Sequence, residues 1–117
     1  MRHQVKNKRV GRNMAHLDAM LGNLATSILL YEKVKTTQAK AKAIKPIIEK
    51  MITMAKTRPV AHTRRYADAF LPDKNASAKL AHVIAARYKD KKSGFLRIVP
   101  LGFRAGDAAP MVQIELV

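Results

Sequence analysis

The chain is 117 residues long, which suits one domain, and hydrophobic residues make up 48% of it, enough to build a core. Twenty-three Lys and Arg oppose eight Asp and Glu, which gives a formal net charge of +15. This excess predicts a polyanionic partner, because the cations repel one another in the compact state until phosphates neutralise them. The absence of Cys excludes disulfides, thiolate metal sites and Cys nucleophiles.

Residues 1–12, which we call the arm, differ in composition from the rest of the chain. The arm has no acidic residue and no apolar period, so we expect an extended RNA-binding segment that orders on its partner. It also lacks the apolar stretch of a secretory signal. We expect a single α+β domain in residues 13–117, which keep 18 of the 23 Lys and Arg and a net charge of +10. The five arm cations are Arg2, Lys6, Lys8, Arg9 and Arg12.

Apolar residues recur at spacings of three and four in four segments, which predicts four helices. Asn13 is a candidate N-cap for the first of them. The second is predicted to continue through Pro46 as a kinked helix, because its apolar period keeps the same phase on both sides. The fourth is predicted to turn Leu80, Val83 and Ile84 inward. The predicted helices span residues 14–31, 37–56, 59–70 and 74–88.

Three shorter segments, residues 33–36, 95–99 and 111–116, have the composition and alternation of strands. In the last of them, three apolar residues share one face, while Gln113 and Glu115 occupy the other. The order of elements is helix, short strand, three helices, two strands. This order indicates the α+β class, with the helices packed on one face of a small three-stranded sheet.

The polar residues show no pattern expected for catalysis. The four His lack metal-ligand spacing, and the carboxylates are scattered instead of clustered as Mg²⁺-dependent hydrolysis requires. No glycine pattern for binding nucleotide phosphates is present. We therefore expect no enzymatic activity, cofactor, bound metal or small-molecule substrate. No apolar run reaches the roughly 18 residues of a membrane span, so no membrane partner is expected either.

Three basic patches are expected to contact RNA. The first is the arm, and the second surrounds the start of the second helix, where free N–H groups suit a phosphate. The third is the loop between the last two strands, where Phe103 either stacks on a base or packs under the loop. In the second and third patches, the predicted contacts are Lys33, Lys35, Thr36, Thr37, Lys40, Arg97 and Arg104.

Three other functions compete with RNA binding. A DNA-binding regulator requires a recognition helix, and no helix here shows helix-turn-helix spacing. A nuclease remains open to a cleavage assay with and without Mg²⁺. A protein of the membrane surface is disfavoured, because a single core would use all the apolar stripes.

Several separate stretches of the chain agree in order and spacing with one known family: 1–3, 5–6, 11–12, 23–27, 36–37, 39–42, 71–74, 104, 106–111 and 114–117. On these stretches the chain resembles the family of bacterial large-ribosomal-subunit protein seventeen. The resemblance implies an α+β structural component of the large subunit, in the cytoplasm, that contacts ribosomal RNA near the polypeptide exit tunnel and lies beside other ribosomal proteins. By position it implies RNA contacts at Arg2, His3, Lys6, Lys8, Arg9, Arg12, Lys35, Thr36, Thr37 and Lys40.

Overall fold

The computed structural model describes residues 13–117, so the predictions for the arm lie outside the described part of the chain. The elements follow in the predicted order, and the α+β class is confirmed. The helical segments are α1 (Met14–Tyr31), α2 (Gln38–Thr57), α3 (Val60–Phe70), α4 (Lys74–Lys79), a π-helical turn (Leu80–Ile84) and α5 (Ala85–Arg87). The strands are β1 (Lys33–Thr37), β2 (Leu96–Phe103) and β3 (Pro110–Leu116).

Helix α1 begins where its capping residue predicts. The Asn13 side-chain oxygen accepts the His16 N–H at 2.9 Å, which satisfies one of the amide groups left free at a helix start. Farther along, Gly22 lies so close to the end of α3 that a Cβ there would be 2.9 Å from the Phe70 carbonyl oxygen. The absence of a side chain at this position therefore allows the end of α3 to approach α1 closely.

Helix α2 runs through Pro46 without interruption, as its unbroken apolar period predicts. Pro46 is exposed, while Ile44 and Ile48 on either side of it are fully buried. Thr37 is the N-cap, but its side chain forms no capping hydrogen bond. The first amides of α2 therefore have no side-chain acceptor from this residue.

The fourth predicted helix is confirmed in position, but one of its inward residues was wrong. Leu80 and Ile84 are buried, whereas Val83 is 48% exposed. The reason is the π-helical turn, in which the Ala85 N–H donates to the Leu80 carbonyl, five residues back. This wider turn rotates Val83 away from the line through the two buried residues.

The sheet is antiparallel, in the order β1-β3-β2, with β3 at its centre. Strand β2 is longer than predicted and continues past Pro100 to Phe103. It is an edge strand, where the N–H that proline lacks need not break a ladder. Between Pro100 and Gly102 an irregularity shifts the pairing register with β3 by one residue, and the pairing continues to Phe103.

The helices cover one face of this sheet, where α1 and α2 pack against the strands. Helix α3 packs on α2 and α4. On the covered face, Val112 and Ile114 are buried and join the core, as the alternation in β3 predicts. The opposite face of the sheet has no helix over it among the described residues, and several predicted contact residues lie there.

Candidate nucleic-acid interface

Two lysines of β1 occupy the uncovered side of the sheet, which we call the open face. Lys33 and Lys35 are exposed and alternate with residues that turn toward the helices. The strand register places Lys33 opposite Glu115 and Lys35 opposite Gln113. Lys35 has no ion-pair partner anywhere in residues 13–117, so its charge is available to a phosphate.

Arg97 reaches the same face from β2, but a carboxylate already engages it. Its Nη2 lies 2.7 Å from Glu115 Oε1, and its Nε donates to the same oxygen at 2.9 Å. The hydrogen bond from Arg97, followed by one from Gln113, lowers the pKa of Glu115 below its ordinary value. Glu115 therefore stays ionised near neutral pH and offsets part of the positive charge of this face.

The position of β1 is set by Glu32, the residue between α1 and the strand. Glu32 adopts a left-handed conformation (φ 67°) and its carbonyl accepts the Leu116 N–H at 2.9 Å, so α1 turns directly into the sheet. Its carboxylate lies 2.5 Å from Arg87 Nη1 and 3.5 Å from Lys79 Nζ. The Arg87 hydrogen bond lowers the pKa of Glu32. These two ion pairs hold the start of β1 against the segment from α4 to α5.

The remaining predicted residues of the second patch are Thr36 and Thr37 at the end of β1 and Lys40 in the first turn of α2. Thr36, one of the predicted RNA contacts, is only 9% exposed and lies on the covered face, so its side chain does not reach the open face. Its burial follows from strand alternation, since it is flanked by Thr37 and the exposed Lys35. Thr37 and Lys40 are half-buried at the start of α2.

Arg104 shapes the β2–β3 turn through two contacts with one carboxylate. Its Nε and Nη2 lie 3.1 and 2.6 Å from the two Asp107 oxygens, and Asp107 also accepts the Ala109 N–H at 3.2 Å. Beside this turn, Phe103 is 77% exposed. Packing under the loop is therefore excluded for its ring, and stacking on a base remains.

Carboxylates and free cations are unevenly distributed over the described surface. Of the 18 Lys and Arg in residues 13–117, four form ion pairs: Lys79, Arg87, Arg97 and Arg104.

A cleft of about 290 Å³ between α1 and the end of α3 is lined by Asp18 and Asp68, and repels phosphate. Lys50 and Arg58, at the end of α2, received no role from sequence reasoning, although both flank exposed threonines.

Within residues 13–117, no three His, Asp or Glu side chains converge as a metal site. No helix in that range is both long and apolar enough to cross a membrane.

Comparison with known proteins matches this chain to one family over nearly its whole length. Residues 20–117 fit the family model of ribosomal protein L17. The chain is 48% identical to the large ribosomal subunit protein bL17 of Pelobacter propionicus over 117 residues, all of this chain and 91% of that protein. The bL17 protein of Trichlorobacter lovleyi is 47% identical over all of this chain and 94% of its own length. The bL17 protein of Desulforudis audaxviator is also 47% identical, over 94% of this chain and 97% of its own length.

The fold, the surplus of cations and these matches define a structural ribosomal protein and not an enzyme. The chain belongs to the ribosomal protein L17 family. Its role is structural, in the large subunit of the bacterial ribosome, and so it resides in the cytoplasm and takes part in translation. This membership replaces the regulator, nuclease and membrane-surface hypotheses.

Proposed function

We propose that this chain binds ribosomal RNA of the large subunit through its arm and through the open face of its sheet, and so braces RNA near the polypeptide exit tunnel. The tunnel location is supported by the family resemblance. On the arm the proposed contacts are Arg2, His3, Lys6, Lys8, Arg9 and Arg12. On the folded body they are Lys33, Lys35, Thr37, Lys40, Arg97 and Arg104.

The observation that carries the proposal is the pair of exposed lysines on β1. Lys33 and Lys35 lie on one face of one strand, which ends at the start of α2. Glu115 is the single carboxylate of β1–β3, and Arg97 engages it already. Phosphates that approach this face therefore meet cations with little competition from the protein's own acids.

The second part of the proposal assigns the hairpin tip to an unpaired base. Phe103 is highly exposed, and the Arg104–Asp107 contacts hold the neighbouring turn in one shape. Sequence-specific RNA binding often relies on aromatic rings that stack on unpaired bases. Other ribosomal proteins are proposed as neighbours on the surfaces that RNA leaves uncovered.

A pair of matched double variants tests the open face. We expect K33Q/K35Q to bind large-subunit RNA more weakly, and to lower the slope of log K against log salt by roughly 1.4–1.8, since each phosphate contact contributes about 0.7–0.9. The control is K74Q/K89Q, which removes two exposed lysines without ion pairs in the described residues but away from the sheet. Equal losses in the two double variants would show that the open face has no special part in binding.

A further inference from the structure

The C-terminal end of α2 carries a basic groove that lies apart from the surfaces assigned above. It is shallow, about 410 Å³ in volume, and is lined by Lys50, Thr53, Met54, Thr57 and Arg58. All of these side chains are exposed except Met54, which is half-buried. Neither cation forms an ion pair with any residue from 13 to 117. Glu49, the one carboxylate of α2, does not line the groove.

The hydroxyl groups of Thr53 and Thr57 each donate their hydrogen to a main-chain carbonyl of α2. Thr53 Oγ1 donates to the Glu49 carbonyl at 2.9 Å, and Thr57 Oγ1 donates to the Thr53 carbonyl at 3.1 Å. Each hydroxyl carries a single hydrogen, so both present only acceptor lone pairs to solvent. An ionised phosphate has no hydrogen to donate to them, whereas a ribose 2′-hydroxyl is both donor and acceptor.

We propose that this groove binds the sugar–phosphate backbone of RNA and distinguishes it from DNA. Lys50 and Arg58 contact phosphates, while Thr53 and Thr57 accept hydrogen bonds from ribose 2′-hydroxyls. Met54 offers an apolar surface to the sugar. The proposal rests on the RNA binding proposed above and adds a second contact surface to it.

The groove and the open face contact different stretches of backbone, because β1 leads into the start of α2, whereas the groove lies at the end of α2. A helix of 20 residues is about 30 Å long. The C-terminal carbonyls of α2 carry partial negative charge, which disfavours a phosphate, and the cations of Lys50 and Arg58 counter that effect.

Two oligonucleotides and a local probe test the groove in the full chain. The ligands are single-stranded oligouridylate and its 2′-deoxy counterpart, with affinity measured by fluorescence anisotropy. The probe is the methyl NMR signal of Met54, and the signal of Met51, which is 1% exposed, reports whether the fold is intact. We expect the Met54 signal to shift on addition of RNA, while the Met51 signal stays in place.

The variants separate sugar contacts from phosphate contacts. We expect T53V/T57V to lose roughly fivefold in RNA affinity for each hydrogen bond removed, with unchanged affinity for the deoxy strand. K50Q/R58Q weakens binding of both strands. The matched control is T26V, since Thr26 also donates its hydroxyl hydrogen to a carbonyl four residues back, at 2.9 Å, but lies on α1. It is expected to leave both affinities unchanged.

Three results overturn the inference, and they distinguish a failure of the groove proposal from a failure of RNA binding itself. If RNA binds but the Met54 signal does not move, or if T53V/T57V weakens both strands equally, the groove is not an RNA site and the open-face proposal stands. If neither strand binds to the full chain at low salt, RNA binding itself is refuted, and the groove proposal fails with it.

Discussion

Asp107 and Glu115 each lie beside an arginine of the same hairpin, and this proximity changes their acidity. The Arg104 hydrogen bonds, followed by the Ala109 N–H, lower the pKa of Asp107 from 3.8 to about 2. A carboxyl whose pKa is lowered by folding stabilises the folded state above its ordinary pKa, and that contribution is lost as the pH falls toward 2. Asp107 therefore keeps Arg104 engaged throughout the neutral range.

An NMR titration of the Asp107 carboxyl tests this pairing. We expect a midpoint near 2 in the native chain and a midpoint closer to 3.8 in R104Q, because the main cause of the shift is removed. K74Q, a charge change elsewhere, should leave the midpoint in place. A midpoint that is the same in R104Q and the native chain would mean that the two side chains do not pair in solution.

Gly22 makes a second prediction about a single residue. We expect Gly22→Ala to destabilise the protein, because its Cβ would press on the Phe70 carbonyl, a main-chain atom that cannot swing aside. Overpacking typically costs roughly 1–3 kcal/mol, while glycine to alanine in a helix gains about 1 kcal/mol. Thermal unfolding should therefore give a lower melting temperature. A higher melting temperature would show that α1 and α3 separate easily at this point.

The π-helical turn makes a prediction for two adjacent residues. Ile84→Ala should cost roughly 2–5 kcal/mol, as expected for a fully buried side chain. Val83→Ala should change the free energy of unfolding by less than about 0.5 kcal/mol, since Val83 is half exposed. Urea unfolding of both variants measures the contrast. Similar losses would place Val83 in the core, as a regular helix predicts.

Most elements could be predicted from the sequence because local patterns determine them. The Asn13 cap, the stripe through Pro46 and the alternation in β3 each follow from neighbouring residues. The π-helical turn and the extension of β2 could not be predicted, since both depend on tertiary packing and on the position of β2 at the sheet edge.

The candidate site was less predictable than the fold. The lysines of β1 stand out by charge and alternation alone. The engagement of Arg97 by Glu115 joins residues 18 positions apart, so it required the strand register. The groove at the end of α2 required the direction of two hydroxyl hydrogen bonds, which no sequence pattern states.

Across the whole molecule, the carboxylates fix local structure more than they neutralise the positive charge of the Lys and Arg side chains. Glu32, Asp107 and Glu115 engage four cations and fix β1, the turn and the open face. The other 14 Lys and Arg of residues 13–117 have no ion pair within that range. Such a body is stabilised by any polyanion that binds the folded state alone.

The claim that the unpaired cations bind RNA phosphates is tested by the salt dependence of binding to protein-free large-subunit ribosomal RNA. If six or more cations contact phosphates, log K should fall linearly with log salt, with a slope steeper than about −4. An affinity that does not respond to salt, or no binding in dilute buffer, would show that these cations do not bind RNA phosphates.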